Sequence, residues 1–226
     1  MVAVVNGGEE SMSMSEQVWQ GFGFGEIGYL LIQDDVPVVA KAREMFDLID
    51  QAYAEDVAIA AVSSLVAHQL LEIGEDGLPR PLGAAAVLAY AIAEATRWTR
   101  IGFFSEGDEA IDGAVLLHAP EVTAILQPRQ GGAWLMVVKA PEVSDAEAIW
   151  ALISGFRDAH EKASVFVEVS DLAAGATLFA DHRGDDSWNI ALGECALWPE
   201  QRRDDVDGPV LETLLRTAVE DDLSVG

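Results

Sequence analysis

The chain has 226 residues, half of them hydrophobic, and sets 39 Asp and Glu against 13 Lys and Arg for a net charge of −26. That length supports one sizeable core, or two small and intimately packed halves. Charge of this sign repels phosphate backbones and disfavours ordinary nucleic-acid binding; it suits a solubilising surface, an acidic face for a basic partner, or a mimic of DNA charge.

Cys195 is the one cysteine, so no intrachain disulfide can form, which fits a reducing cytoplasm. The opening MVAVVNGGEESMSMSEQ has no basic region and no long apolar stretch, so it is not a signal peptide. Residues 1–15 are expected to be disordered and 16–226 to form a single α+β domain. The apolar run at 82–95 is Ala-rich and shorter than the roughly 18 residues a membrane span requires. A cytoplasmic protein is the expectation.

In chain order, 19–33 mixes glycine with aromatics. The spacing of Gly21, Gly23 and Gly25 predicts an irregular entry and then a strand over 27–32. A phosphate-cradling loop needs the strand in front of the glycines and a helix behind, so that reading is rejected. Asp34-Asp35-Val36-Pro37 predicts an Asp cap with proline in the first turn of a helix running to about 53. A second helix follows over 55–73, closed by Gly74, with Pro79 and Pro81 preventing re-entry. A third covers 82–97. These make up a helical part, 36–97.

Strands are expected over 98–140. Short ones at 99–104 and 114–118 flank an acidic loop at 105–112. The clearest local signal is 121–138, EVTAILQPRQGGAWLMVV, a hairpin whose turn holds two glycines able to take positive φ. Ser144 and Glu147 form a capping box for a helix to about 162. A strand at 165–169 leads to a second hairpin at 175–192. Shifting the first hairpin by 54 residues lands on it: Thr123 falls on Thr177, Arg129 on Arg183 and Trp134 on Trp188. A polar loop is expected at 200–208 and a last helix at 210–219, completing the helix, second meander and last helix of 144–221. The expected fold class is therefore α+β, with a central antiparallel sheet built from two β-meanders in a quasi-two-fold repeat, flanked by about five helices.

No catalytic constellation stands out. The turn Asp181-His182-Arg183-Gly184-Asp185-Asp186 has carboxylates beside a histidine, which can bind a divalent metal, but Gly-Asp-Asp between strands is also ordinary turn chemistry. His68, His118, His160 and His182 are far apart in sequence and lack metal-ligand spacing. Cys195 has no evident partner and reads as a small buried hydrophobe. The acidic runs 106–112 and 204–207 read as solvated loops. Trp134 and Trp188, at matching hairpin positions, read as core packing, with an aromatic pair near a partner surface as the alternative. No catalytic, cofactor-binding or metal site is assigned, no cofactor is expected, and the partner-binding surface is unknown from sequence.

Residues 65–98, LVAHQLLEIGEDGLPRPLGAAAVLAYAIAEATRW, resemble a helix, an Asp-Gly and Pro connector and a second helix entering a strand in the EspG family, the cytosolic chaperones of type VII (ESX) secretion in actinobacteria. Residues 115–138 resemble that family's first meander, 144–156 the helix leading to its centre, 164–174 (SVFVEVSDLAA) its recurrent strand and turn, and 176–192 its terminal hairpin. The resemblance implies a non-enzymatic chaperone or adaptor on a quasi-two-fold sheet, with a helical secreted client of the PE–PPE kind. Net charge alone supports a different reading: an acidic inhibitor, immunity protein or DNA mimic with a basic protein partner. A metal-dependent enzyme built on residues 181–186 is a third.

Overall fold

The computed structural model describes residues 19–32, 35–105, 112–160, 162–182, 187–193 and 201–220. The fold is α+β with a large antiparallel sheet. Contacts group the described residues into two compact units, one of 19–99 with 114–139, the other of 100–113 with 140 onward.

The first unit opens with β1 (Gln20–Gly23) and α1 (Phe24–Leu31). The strand expected over 27–32 is thus a helix, and the strand precedes it. Residues 27–31 are apolar on every side because all are buried, so no helical stripe shows in the sequence. The glycines serve helix packing instead. A Cβ at Gly25 would meet Val57 Cγ1 at 2.6 Å, and one at Gly28 would overlap the Ala52 carbonyl oxygen.

The next helix, α2 (Pro37–Phe46), has Val36 at its N-cap with no side-chain cap. The expected Asp cap is therefore absent; Asp35 instead lies 3.6 Å from Arg43. The helix stops at Asp47, which takes φ +47°, and a 3-10 turn at Asp50–Tyr53 leads into α3 (Glu55–Ala67). That helix ends short of 73. Gln69 takes φ +59°, and the chain enters a small hairpin of β2 (Leu71–Ile73) and β3 (Pro79–Pro81). Gly74 belongs to its turn, not to a helix end: its N–H donates to the Leu78 carbonyl at 2.9 Å.

After α4 (Gly83–Glu94) come β4 (Arg97–Ser105), β5 (Asp112–Ala119), β6 (Val122–Arg129) and β7 (Ala133–Val138). The hairpin of β6 and β7 falls where the sequence places it, and Gly131 and Gly132 take φ +79° and +76° in its turn. The strand order in this unit is β1-β7-β6-β5-β4, with the first three residues of β4 taking part. Helices α1, α2 and α4 pack on the face carrying Leu117, Leu126, Trp134 and Met136. Phe46 meets Trp134 edge-on at 5.3 Å.

The second unit takes the rest of β4, then α5 (Asp145–Ala159), β8 (Ala163–Ser170), β9 (Gly175–His182), β10 (Ser187–Gly193), β11 (Gln201–Asp207) and α6 (Gly208–Glu220). Its strand order is β4-β8-β9-β10-β11. The capping box is formed: Glu147 N–H donates to Ser144 Oγ at 3.2 Å, and Ser144 N–H to Glu147 Oε2 at 2.8 Å. The expected loop at 200–208 is a strand. It escapes notice because it is a charged edge strand: over 203–207 Val206, opposite Trp188, is buried and the rest are exposed. Its register slips between Trp188 and Ile190, and Asp205 takes φ +56°, the marks of a β-bulge. Among the described residues there are six α-helices, α1 being the one not foreseen.

The two hairpins share one register. Pro128 pairs with Trp134 as His182 pairs with Trp188, and Ala124 with Val138 as Leu178 with Leu192. Both tryptophans are buried. The internal repeat of the sequence therefore extends to backbone pairing within each hairpin, although the second turn, 183–186, lies outside the described residues.

Candidate protein-docking face

Side chains alternate across a strand, so each sheet has two faces. In the second unit one face is fully dressed. Ile101, Phe103, Val165, Val167, Leu178, Ala180, Trp188 and Ile190 are buried there, and Phe156 of α5 stacks on Phe103 at 4.7 Å. Helix α6 packs beside α5 on β10 and β11.

The opposite face is built from the alternate residues. Strand β4 supplies Arg100, Gly102 and Phe104; β8 supplies Ser164, Phe166 and Glu168; β9 supplies Thr177, Phe179 and Asp181. Phe166 and Phe179 are direct cross-strand partners. A Cβ at Gly102 would lie 3.5 Å from the Phe104 ring and 3.9 Å from Phe166, so the three rings follow one row. Phe104 is 42% exposed and Phe179 40%. A row of half-open aromatic rings on a strongly charged chain is the kind of apolar patch that marks a protein contact.

Beside the row sits an ion pair. Arg100 Nη2 donates to Glu168 Oε2 at 2.6 Å, and the guanidinium lies 5.9 Å from the Phe166 ring centroid. Glu168 is buried, at 3% exposure, with the Arg100 guanidinium against it. Among the described residues Arg100 Nε has no hydrogen-bond partner. Ser164 Oγ donates to the Asp181 carboxylate farther along the same face. Chemically this is an adhesive surface with one anchored cation.

The residues singled out from sequence lie elsewhere or do other work. His118 is buried in β5, its Nε2 2.9 Å from Thr99 Oγ1. His160 caps α5, with Nδ1 2.9 Å from the Phe156 carbonyl oxygen, and stacks on that ring. His68 is the exposed C-cap of α3, and His182 lies against Trp188 at 4.9 Å. Asp181 is held by Ser164, while Arg183, Asp185, Asp186 and Cys195 lie outside the described residues, as does 106–111. Among the described residues no group of three His, Cys, Asp or Glu could hold a metal ion. A strand precedes and a helix follows at 20–31, contrary to the expected order, but Gly21 and Gly23 lie within β1 and Gly25 within α1, with no glycine loop between them. The α1 N-terminus is also already occupied by an acid: Gly23 N–H donates to Glu26 Oε2 at 2.8 Å. Among the described residues no helix is long and apolar enough to cross a membrane.

Fold and face together define an α+β scaffold with a half-exposed aromatic row on one sheet face. No protein-family model matches the chain, and no curated protein does. Among solved structures it is similar to the Mycobacterium tuberculosis type VII secretion system chaperone EspG5, solved in complex with the PE25–PPE41 dimer. The TM-score is 0.56 at 12% identity, covering 92% of this chain and 98% of that one. The likeness is one of fold.

The docking face went unseen in the sequence. Its one signal was the alternation Arg100, Gly102, Phe104, which places a cation and an aromatic on the side opposite the buried Ile101 and Phe103.

Proposed function

We propose that the chain is a non-enzymatic protein-binding chaperone or adaptor, and that it seats the apolar tip of a helical client on the aromatic face of β4, β8 and β9. The observation that carries this reading is the row Phe104, Phe166, Phe179 beside the Arg100–Glu168 pair. Rings of this kind supply contact area at low entropic cost, and a buffered guanidinium gives orientation. The fold it shares with EspG5 supports a client of the PE–PPE kind. The test is affinity purification from the native host, washed at low and at high salt, with wild type and with Phe104→Ser/Phe179→Ser. A stoichiometric helical partner that survives high salt and is lost in the double variant is expected. A partner retained equally by both proteins would remove the face from the reading.

The net charge of −26 favours a second reading, an acidic inhibitor or immunity protein for a basic partner. That partner would be released at high salt and would be indifferent to the phenylalanines.

A further inference from the structure

The ion pair on the aromatic face is lopsided. The Arg100 side chain is 35% exposed and that of Glu168 4%, so the guanidinium is the outward member and its counter-ion the inward one. Of the described residues that β4, β8 and β9 place on this face, Arg100 alone is basic. The other acid there, Asp181, accepts from Ser164 Oγ. A guanidinium carries five N–H donors in a planar fork. Glu168 takes one through Nη2 at 2.6 Å, and Nε has no partner among the described residues. Cations are scarce on this chain, 13 against 39 acids, and a purely apolar contact needs none. One held 5.9 Å from the centroid of the Phe166 ring adds a polar requirement to the aromatic row.

We propose that Arg100 determines the specificity of this face, and that the partner it selects carries a carboxylate beside the aliphatic side chains that meet Phe104 and Phe179. The inference rests on the docking reading given above and names the chemistry of the client's tip. A second acceptor on the fork makes a charge-assisted bond, about twice as strong as a neutral one. The net charge of −26 opposes an arriving acid, but that repulsion is diffuse. At about 0.15 M salt the Debye length is about 8 Å, so charge spread over the surface is screened while a contact at the guanidinium is not. A face that answered to net charge instead would take a basic tip.

The test uses the full-length protein and three synthetic, C-terminally amidated helices of about five turns. Each ends in a turn of Leu and Phe around one variable position, which is Glu, Gln or Lys. Binding is read by fluorescence anisotropy at about 0.15 M salt. The Glu peptide is expected to bind about tenfold more tightly than the Gln peptide, and the Lys peptide most weakly. Arg100→Gln with Glu168→Gln should erase the preference for Glu over Gln, and Arg100→Lys should keep part of it. A merely structural role for Arg100 would move all three affinities together. Circular dichroism verifies that each variant is folded. Equal binding of the Glu and Gln peptides, tightest binding of the Lys peptide, or a preference that survives in the double variant overturns the inference. Phe104→Ser/Phe179→Ser tests the face separately and should weaken all three peptides. If it does so while Glu and Gln bind alike, the face stands and the carboxylate falls. If no peptide binds, or the phenylalanine variant binds as wild type does, the face falls and the inference with it.

Discussion

Replacing Gly28 by alanine sets two opposed effects against each other. Alanine within a helix is favoured over glycine by about 1 kcal/mol through backbone entropy. The added methyl, however, would overlap the Ala52 carbonyl oxygen and lie 3.0 Å from the Ala52 carbonyl carbon and 3.2 Å from its Cβ. The obstacle is backbone, and it is tied down: Ala52 N–H donates to the Ile49 carbonyl at 2.8 Å. Helix α1 must therefore withdraw by about 1 Å, loosening the packing of Ile27, Leu30 and Leu31 in the core. Overpacking of this kind costs about 1–3 kcal/mol. Because the obstacle is tethered backbone, the upper part of that range, about 2–3 kcal/mol, applies, and the net expectation is a loss of about 1–2 kcal/mol, seen as a lower urea midpoint and a fall of about 2–8 °C in Tm followed by tryptophan fluorescence. Gly25→Ala should lose less, because its obstacle is the Val57 side chain, which can turn aside. An unchanged or higher midpoint for Gly28→Ala would refute the view that these glycines exist for close approach.

Arg100→Met removes the guanidinium that pairs with buried Glu168 and should cost about 2–3 kcal/mol, and adding Glu168→Gln should recover part of it in chemical denaturation. Ser144→Ala removes one half of a formed capping box and should cost about 1 kcal/mol, with helix α5 fraying in amide exchange. Asp76 accepts from the Leu78 N–H and pairs with Arg80, which holds its carboxyl below the ordinary value of 3.8. A depressed carboxylate supports the fold above its unfolded pKa, and that support disappears as pH falls through the folded one. The β2–β3 turn should accordingly loosen only in acid below 3.8, and Asp76→Asn should abolish that pH dependence in Leu78 amide exchange.

Much of the architecture is legible in the sequence because local chemistry and tertiary structure agree there. The Gly131-Gly132 turn, the Ser144 box and the matched tryptophans each declare themselves within a few residues. The misreadings share a cause: burial or exposure that erases periodicity. Helix α1 is buried all round and so shows no stripe, while β11 is a charged edge on which, over 203–207, Val206 alone is buried. The early end of α3 depends on Gln69 at positive φ, which nothing in its side chain announces. The docking face was illegible for a different reason. It needs Phe104, Phe166 and Phe179 from three strands, and strand neighbours are set by pairing that local sequence does not encode.

The pairing of β1 with β7 joins residues separated by roughly a hundred positions, Gln20 opposite Met136, whereas β11 joins β10 across a short connection. Loop closure of that length is slow and comes late. The two like-registered hairpins are thus closed at their outer edges by unlike strands: β1 pairs with β7 in unbroken register, while the bulge at Asp205 gives β11 a backbone outline of its own.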